Sequence, residues 1–192
     1  MILQQNKGRK NMTILKVLLT SLIITSCAQM PVKKKDIPAR VIDITKPGKF
    51  QVKSSLSWIK ETAECANAVL KSQAFLDEVS AIESFDYSDD NGAQVVAKML
   101  VSQHVLRTYK TKNPFSKVKA TTYKRNKRDI YFNRRRNPRA LYQMVVTSYH
   151  EAGHNNGYGH GDNKAQGKEN AVPNKVGAIA GKYAKRLCNP SY

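Results

Sequence analysis

The stretch HEAGHNNGYGH, residues 150–160, holds three of the four histidines of a 192-residue chain. His150 and His154 are four residues apart, and His160 follows after six more. On an α-helix, residues at i and i+4 project from one face, so both imidazoles can reach one metal ion. Glu151 lies about 100° round the same helix, where its carboxylate is free to accept a proton. The spacing predicts a metal site with a general base beside it.

The third histidine can join the site only if the chain reverses direction after His154. Gly157 is the residue at which this reversal is predicted, because glycine adopts positive φ at little steric cost and often follows the last turn of a helix. The six-residue spacing is then a helix end, a glycine turn and a returning ligand, His160.

The helix that carries the motif is predicted to start just before RALYQMVVTSYHEAGHNN, residues 139–156. Asn137 is a favourable N-cap residue, and Pro138 fits the first helical position, where its missing N–H costs nothing. Gly153 inside the helix costs about 1 kcal/mol relative to alanine. Close packing near the site would be one reason to keep a glycine there.

The motif residues match every specified position of the pattern HExxHxxGxxH: His150, Glu151, His154, Gly157 and His160. The stretch resembles the signature of the metzincin zinc peptidases. The resemblance implies an α+β domain with a small twisted sheet, a cleft, a long zinc-binding helix and a short C-terminal subdomain. It also implies Zn²⁺ as the cofactor, the three histidines as its ligands, and Glu151 as the base that takes a proton from a zinc-bound water.

The resemblance covers about residues 129–175 and departs from the family at one point. Metzincins carry a methionine turn beneath the zinc, whereas no methionine follows Met144 in this chain. The segment NAVPNKVG, residues 170–177, is the best candidate for an equivalent turn, with Val172 or Pro173 under the metal. We therefore describe the chain as metzincin-like.

Four further residues have a functional and a structural interpretation. Asp162 is a candidate acceptor that orients a ligand histidine, or a surface turn residue. Tyr158 and Tyr183 are candidates for stabilising an oxyanion, or residues that only pack. His104 is expected to be an ordinary histidine without a role in the site.

The N-terminal region has the features of an export signal. Residues 1–27 begin with basic residues, continue with a short apolar run and end in small residues before Cys27, as in a secretory signal peptide. The sequence ITSC resembles a bacterial lipobox, which implies cleavage before Cys27 and a lipid anchor on it. The alternative is an ordinary signal peptide. Residues 28–53 are predicted to be a tether with at most one short strand. The expected location is the bacterial cell envelope, on a membrane facing the periplasm or the exterior.

Two cysteines remain once Cys27 is assigned to the lipid anchor. Cys65 and Cys188 form an even pair in an oxidising compartment, which favours a disulfide over two buried thiols.

The chain is strongly basic, with a formal net charge of +19. Loss of residues 1–27 would leave about +15, a charge that favours polyanionic surroundings. Residues 110–139 contain twelve basic residues and a single acid, Asp129. We expect this segment to contact an anionic envelope surface or to form a charged rim beside the substrate. Nucleic acid is not expected as a partner of an exported protein.

The order of the predicted elements indicates an α+β domain over residues 54–192. Helical spacing predicts one helix after residue 54 and a second from Ser72, and a turn at residues 88–92 precedes a third. Three strands follow, HVLRTY, KVKATTY and DIYFN, and then the motif helix. The resemblance implies that DIYFN leads into that helix and that one of the earlier strands is an edge that pairs with an extended substrate.

The function predicted from these features is hydrolysis of peptide bonds by an exported, membrane-anchored zinc peptidase. Two alternatives remain: a basic envelope lipoprotein with a structural zinc site, and a zinc amidase or peptidase that acts on peptidoglycan. The metal's fourth position separates the first alternative from an enzyme. It is open to water in a catalytic site and closed by a protein ligand in a structural one.

Overall fold

The computed structural model of the chain describes residues 49–123, 125–161 and 168–188. The predicted signal peptide at 1–27, including Cys27, and the predicted tether up to residue 48 lie outside these ranges. In the described part of the chain, no helix is both long and apolar enough to cross a membrane.

The described residues form an α+β fold, as predicted. The helices are α1 (Ser57–Leu70), α2 (Gln73–Ser80), α3 (Gly92–Val101), α4 (Leu141–Asn155) and α5 (Val172–Cys188). The strands are β1 (Lys49–Val52), β2 (Gln103–Tyr109), β3 (Ala120–Tyr123) and β4 (Asn126–Asn133). A short 3-10 helix, Lys168–Asn170, precedes α5.

The four strands form one mixed sheet with the order β1-β2-β4-β3. β1, β2 and β4 are parallel to one another, and β3 is antiparallel to β4 at one edge. β1 is the short strand expected within residues 28–53. The Asn67 side chain of α1 accepts a hydrogen bond from the Phe50 N–H (2.8 Å) and donates one to the Phe50 carbonyl (2.9 Å). These bonds fasten β1 to the first helix.

One hydrophobic core joins the sheet to all five helices. Tyr149 of α4 is its largest fully buried side chain, and its ring contacts those of Phe50 and Phe75. The Tyr149 hydroxyl donates to the Ala66 carbonyl at 2.9 Å, which satisfies its polar group inside the core. Full burial of a large apolar side chain contributes about 1.5–3 kcal/mol. Tyr149 precedes His150, so the same packing fixes the helix that carries the motif.

The predicted start of the motif helix is wrong. α4 begins at Leu141, and the Asn137–Pro138 peptide bond is cis. The Asn137 amide donates to the Lys119 carbonyl (3.0 Å) and to the Asn133 carbonyl (2.9 Å), so this buried side chain ties a loop to the sheet instead of capping the helix. β3 also begins three residues later than the predicted strand at 117–123.

The predicted disulfide is confirmed. Cys65 in α1 is bonded to Cys188 at the end of α5, across 123 residues of sequence. Structural disulfides persist in oxidising compartments, so the bond indicates an extracytoplasmic protein.

Removal of this disulfide is expected to lower the free energy of unfolding by about 4–5 kcal/mol, because the loop that it closes is long. The measurement is urea denaturation of the oxidised protein and of the Cys65→Ser, Cys188→Ser double variant, both kept free of metal. Equal unfolding midpoints and slopes for the two proteins would contradict the expectation.

Candidate metal centre and cleft

The three motif histidines converge in space. His150 and His154 project from α4 and His160 from the loop that follows, and one ring nitrogen of each lies within 4.8 Å of the others. The Nε2 atoms of His150 and His160 are 3.3 Å apart. Two nitrogens bound to one tetrahedral ion at about 2.05 Å would be about 3.3 Å apart. The cluster can therefore hold a metal ion.

The predicted glycine reversal brings the third histidine back. Gly157 has φ of 94° and follows the end of α4. The Tyr158 N–H donates to the Gly153 carbonyl at 3.1 Å, and the Gly157 N–H donates to the His154 carbonyl at 3.0 Å. These are the two hydrogen bonds of a Schellman motif, which ends a helix with a left-handed residue. A side chain at Gly157 would strain this turn.

Two hydrogen bonds orient two of the clustered histidine rings. Nδ1 of His154 donates to the Tyr158 carbonyl at 2.9 Å, which leaves Nε2 available to bind a metal ion. The side chain of Asn174, in α5, hydrogen-bonds the His150 ring. Burial, together with the neighbouring His154 and His160, lowers the pKa of His150 to about 4. His150 is therefore neutral near pH 7, which is the form that binds metal.

The loop that carries His160 is anchored to the segment before α3. The Tyr158 hydroxyl donates to Oδ2 of Asp90 at 2.7 Å, and Lys98 forms an ion pair with the same carboxylate. The Lys98 ammonium also lies 5.0 Å from the centroid of the Tyr158 ring. Tyr158 is thus held by a charge-assisted hydrogen bond and a cation–π contact two residues before His160.

Glu151 lies beside the cluster in a cleft of about 550 Å³. The cleft is lined by His150 and Glu151, by other residues at 139–147 in and just before α4, and by residues 117–120 leading into β3. Burial raises the pKa of Glu151 to about 7. The cleft therefore brings an ionisable carboxyl group and one of the clustered histidines to the same surface.

The first turn of α5 packs against α4, the helix that carries the motif. A Cβ atom at Gly153 would lie 3.1 Å from Cα of Pro173, so glycine permits this close approach. Close packing is therefore a reason for the glycine at position 153. Residues 170–177, expected to form a turn in place of the methionine turn, instead end the 3-10 helix and begin α5. Pro173 packs against the helix backbone, and the next residue, Asn174, hydrogen-bonds His150.

The other candidates have structural partners or lie elsewhere. The Tyr183 hydroxyl donates to the Ala74 carbonyl and to Glu78, each at 2.9 Å, so Tyr183 joins α5 to α2. Neither Tyr183 nor Tyr158 lines the cleft. His104 is buried against Phe50 and is not part of the histidine cluster, as expected. Asp162 lies outside the described residues.

Sequence reasoning missed Asn174 and Asp90. Asn174 reaches His150 from α5, and Asp90 reaches the ligand loop from the segment before α3. Neither has a fixed spacing from the histidines, so no pattern in the sequence pointed to them.

No protein-family model, curated protein or solved structure matches the chain. The function is therefore inferred from the geometry of the site.

Proposed function

We propose that the protein is an exported, membrane-anchored peptidase that uses zinc to hydrolyse peptide bonds. The observation that carries the proposal is that His150, a member of the three-histidine cluster, and the buried Glu151 line the same cleft. His150, His154 and His160 hold the ion, and Glu151 is the general base.

The donor set suits zinc in a catalytic site. Neutral imidazoles are ordinary zinc ligands, and catalytic zinc typically has three protein ligands whereas structural zinc has four. Among the described residues, the group contains the three histidines and no cysteine, aspartate or other acid. This composition favours a peptidase over an envelope protein with a structural zinc.

The zinc ion and the protein side chains have separate roles in the proposed reaction. When bound, zinc supplies Lewis acidity that activates water and polarises a substrate carbonyl. Glu151 accepts the proton of the attacking water and delivers it to the leaving amine. The Tyr158 carbonyl and Asn174 hold His154 and His150 in orientation throughout.

The edge of the sheet supports a peptide as the substrate. Within the sheet formed by the described residues, β3 is an edge strand paired with β4, and Ala120 at its start lines the cleft together with His150 and Glu151. An extended peptide can add to such an edge through main-chain hydrogen bonds. The scissile bond would then lie along α4, within reach of Glu151.

The location of the protein is part of the proposal. Export to an oxidising compartment agrees with the disulfide. A lipid on Cys27 would hold the chain on the membrane surface. The basic segment 110–139 exposes charged residues together with Phe115, which is 84% exposed. We assign this segment to contact with the anionic envelope, outside the part that lines the cleft.

The test is cleavage of an unbiased peptide library by the full-length protein. We expect cleavage that stops when a chelator removes the metal and returns when zinc is added. Cell-wall fragments form a second arm, and cleavage confined to them would redirect the proposal to peptidoglycan. Bound zinc without cleavage of either substrate would contradict the enzyme proposal and favour a structural zinc.

Tyr158→Phe is expected to weaken zinc binding by up to about tenfold without unfolding the protein. Groups that support metal ligands typically change metal affinity by about 10–100-fold, and here the hydroxyl acts one step further away, through the loop. The variant loses only the hydrogen bond to Asp90. The measurement is competition for zinc with a chelating dye.

Tyr131→Phe is the matched control. It also removes a tyrosine hydroxyl that donates to an aspartate, Asp129, at 2.9 Å, but it lies in β4 and outside the cluster. Zinc affinity should not change in this variant. An equal effect of the two substitutions would show that the Asp90 contact does not position the ligand loop.

A further inference from the structure

The cleft beside the histidine cluster is basic. Its lining includes Lys117, Lys119 and Arg139, and Glu151 is the only acid among the described residues that line it. Both lysines are exposed, whereas Arg139 is only partly exposed. Of these three cations, Arg139 is thus the one whose side chain is partly buried in the wall of the cleft.

The Arg139 guanidinium is held by neutral acceptors. Its Nη2 donates to the Thr147 hydroxyl at 2.7 Å and to the Gln143 carbonyl at 3.5 Å, and its Nε donates to the Asn137 side chain at 3.2 Å. None of the ion pairs in the described part of the chain includes Arg139. Burial also lowers the pKa of Arg139. A partly buried guanidinium that forms no ion pair with the described residues is well suited to bind a carboxylate from outside the chain.

The position of Arg139 determines how far a carboxylate bound to it would lie from the cleaved bond. Gln143, Thr147 and Glu151 follow one another at intervals of four residues on one side of α4. Arg139 lies two residues before α4 and reaches the first two of them through its hydrogen bonds. The guanidinium contacts Thr147, which lies one helical turn, about 6 Å, from Glu151. An extended peptide advances about 3.3 Å per residue. A carboxylate at Arg139 would therefore belong to a residue within about two positions of the scissile bond.

We propose that Arg139 forms a carboxylate-binding subsite of the cleft, so that the preferred substrates are peptides with a carboxylate within two residues of the cleaved bond. The inference rests on the proposed peptidase function. The carboxylate is either an acidic side chain or the free C-terminus of the substrate. Lys117 and Lys119 add positive charge to the same cleft. Arg139 differs from them because its hydrogen bonds fix the orientation of its guanidinium.

The experiment compares matched peptides that differ in one group. One pair carries glutamate or glutamine near the scissile bond and has an amidated C-terminus. A second pair has no acidic side chain and ends in a free carboxylate or an amide. Cleavage is measured as kcat/KM with wild-type protein, and binding is measured by fluorescence anisotropy with the zinc-loaded Glu151→Gln variant. We expect a preference of about tenfold or more for the carboxylate member of at least one pair.

Substitution of the arginine then assigns the preference to its side chain. Arg139→Gln should reduce the preference to near one, and Arg139→Lys should retain part of it, because the charge stays while the forked geometry is lost. Arg128→Gln is the matched control: Arg128 is an exposed residue of β4 outside the cleft, so the preference should be unchanged.

The outcomes separate this inference from the proposed function. If wild type shows no preference in either pair, or if Arg139→Gln lowers the values for both members equally, Arg139 is a structural residue and the inference is overturned. If no peptide is cleaved but the Glu151→Gln variant still binds the carboxylate member more tightly in an Arg139-dependent way, the subsite stands and the peptidase function fails.

Discussion

Replacement of Glu151 by glutamine is expected to leave the metal in place and to lower kcat by roughly 10²–10⁴-fold, the usual contribution of general acid–base catalysis. Glutamine has nearly the shape of glutamate but cannot accept the proton at the start of the reaction. Glu151 is not among the clustered ligands, so the histidines should keep their geometry. The measurements are zinc content by mass spectrometry and turnover of a library-derived peptide at saturating zinc.

Glu64→Gln provides the comparison. Glu64 is an exposed residue of α1 that does not line the cleft, so the same chemical change there should leave both zinc content and turnover unaltered. Turnover by Glu151→Gln within a few-fold of wild type would remove Glu151 from the mechanism. Loss of zinc from that variant would instead place its carboxylate among the groups that hold the metal.

Replacement of His154 by alanine is expected to lower zinc affinity by more than about 100-fold, beyond the range observed for groups that only support a ligand. The change removes one of the three proposed ligands and also the hydrogen bond from the ring to the Tyr158 carbonyl, which helps to hold the returning loop. Activity should be lost together with the metal. Both quantities are measured against free zinc concentration.

His104→Gln is the control for His154→Ala. His104 is the one histidine outside the cluster, so its replacement should leave zinc affinity near that of wild type after folding is verified by circular dichroism. Wild-type zinc affinity in His154→Ala would show that the cluster does not hold the metal. Activity retained without zinc would contradict the mechanism.

The parts of the site that local geometry determines could be predicted from the sequence. The four-residue spacing places His150 and His154 on one helix face, and Gly157 supplies the positive φ that returns His160. Both relations involve only a few consecutive residues. The strands after residue 100 and the α+β class were also predicted, because alternation and helical spacing are local signals.

The parts that depend on contacts between distant segments could not be predicted. Asparagine is a residue type that often caps helices. The Asn137 amide instead donates to the carbonyls of Lys119 and Asn133, because the loop that contains it packs on the sheet. Asn174 and Asp90 likewise act across the fold. The parallel pairing of β1 with β2 also joins segments about fifty residues apart, and no spacing rule reveals such a partner.

The metal content of the purified full-length protein tests the central claim most directly. The protein is equilibrated with zinc, freed of loosely bound ions and analysed by mass spectrometry, beside a variant in which His150, His154 and His160 are all alanine. We predict one zinc ion per chain in the wild type and none in the variant. No zinc in the wild type, or equal zinc in the two proteins, would contradict the metal centre and with it the proposed peptidase.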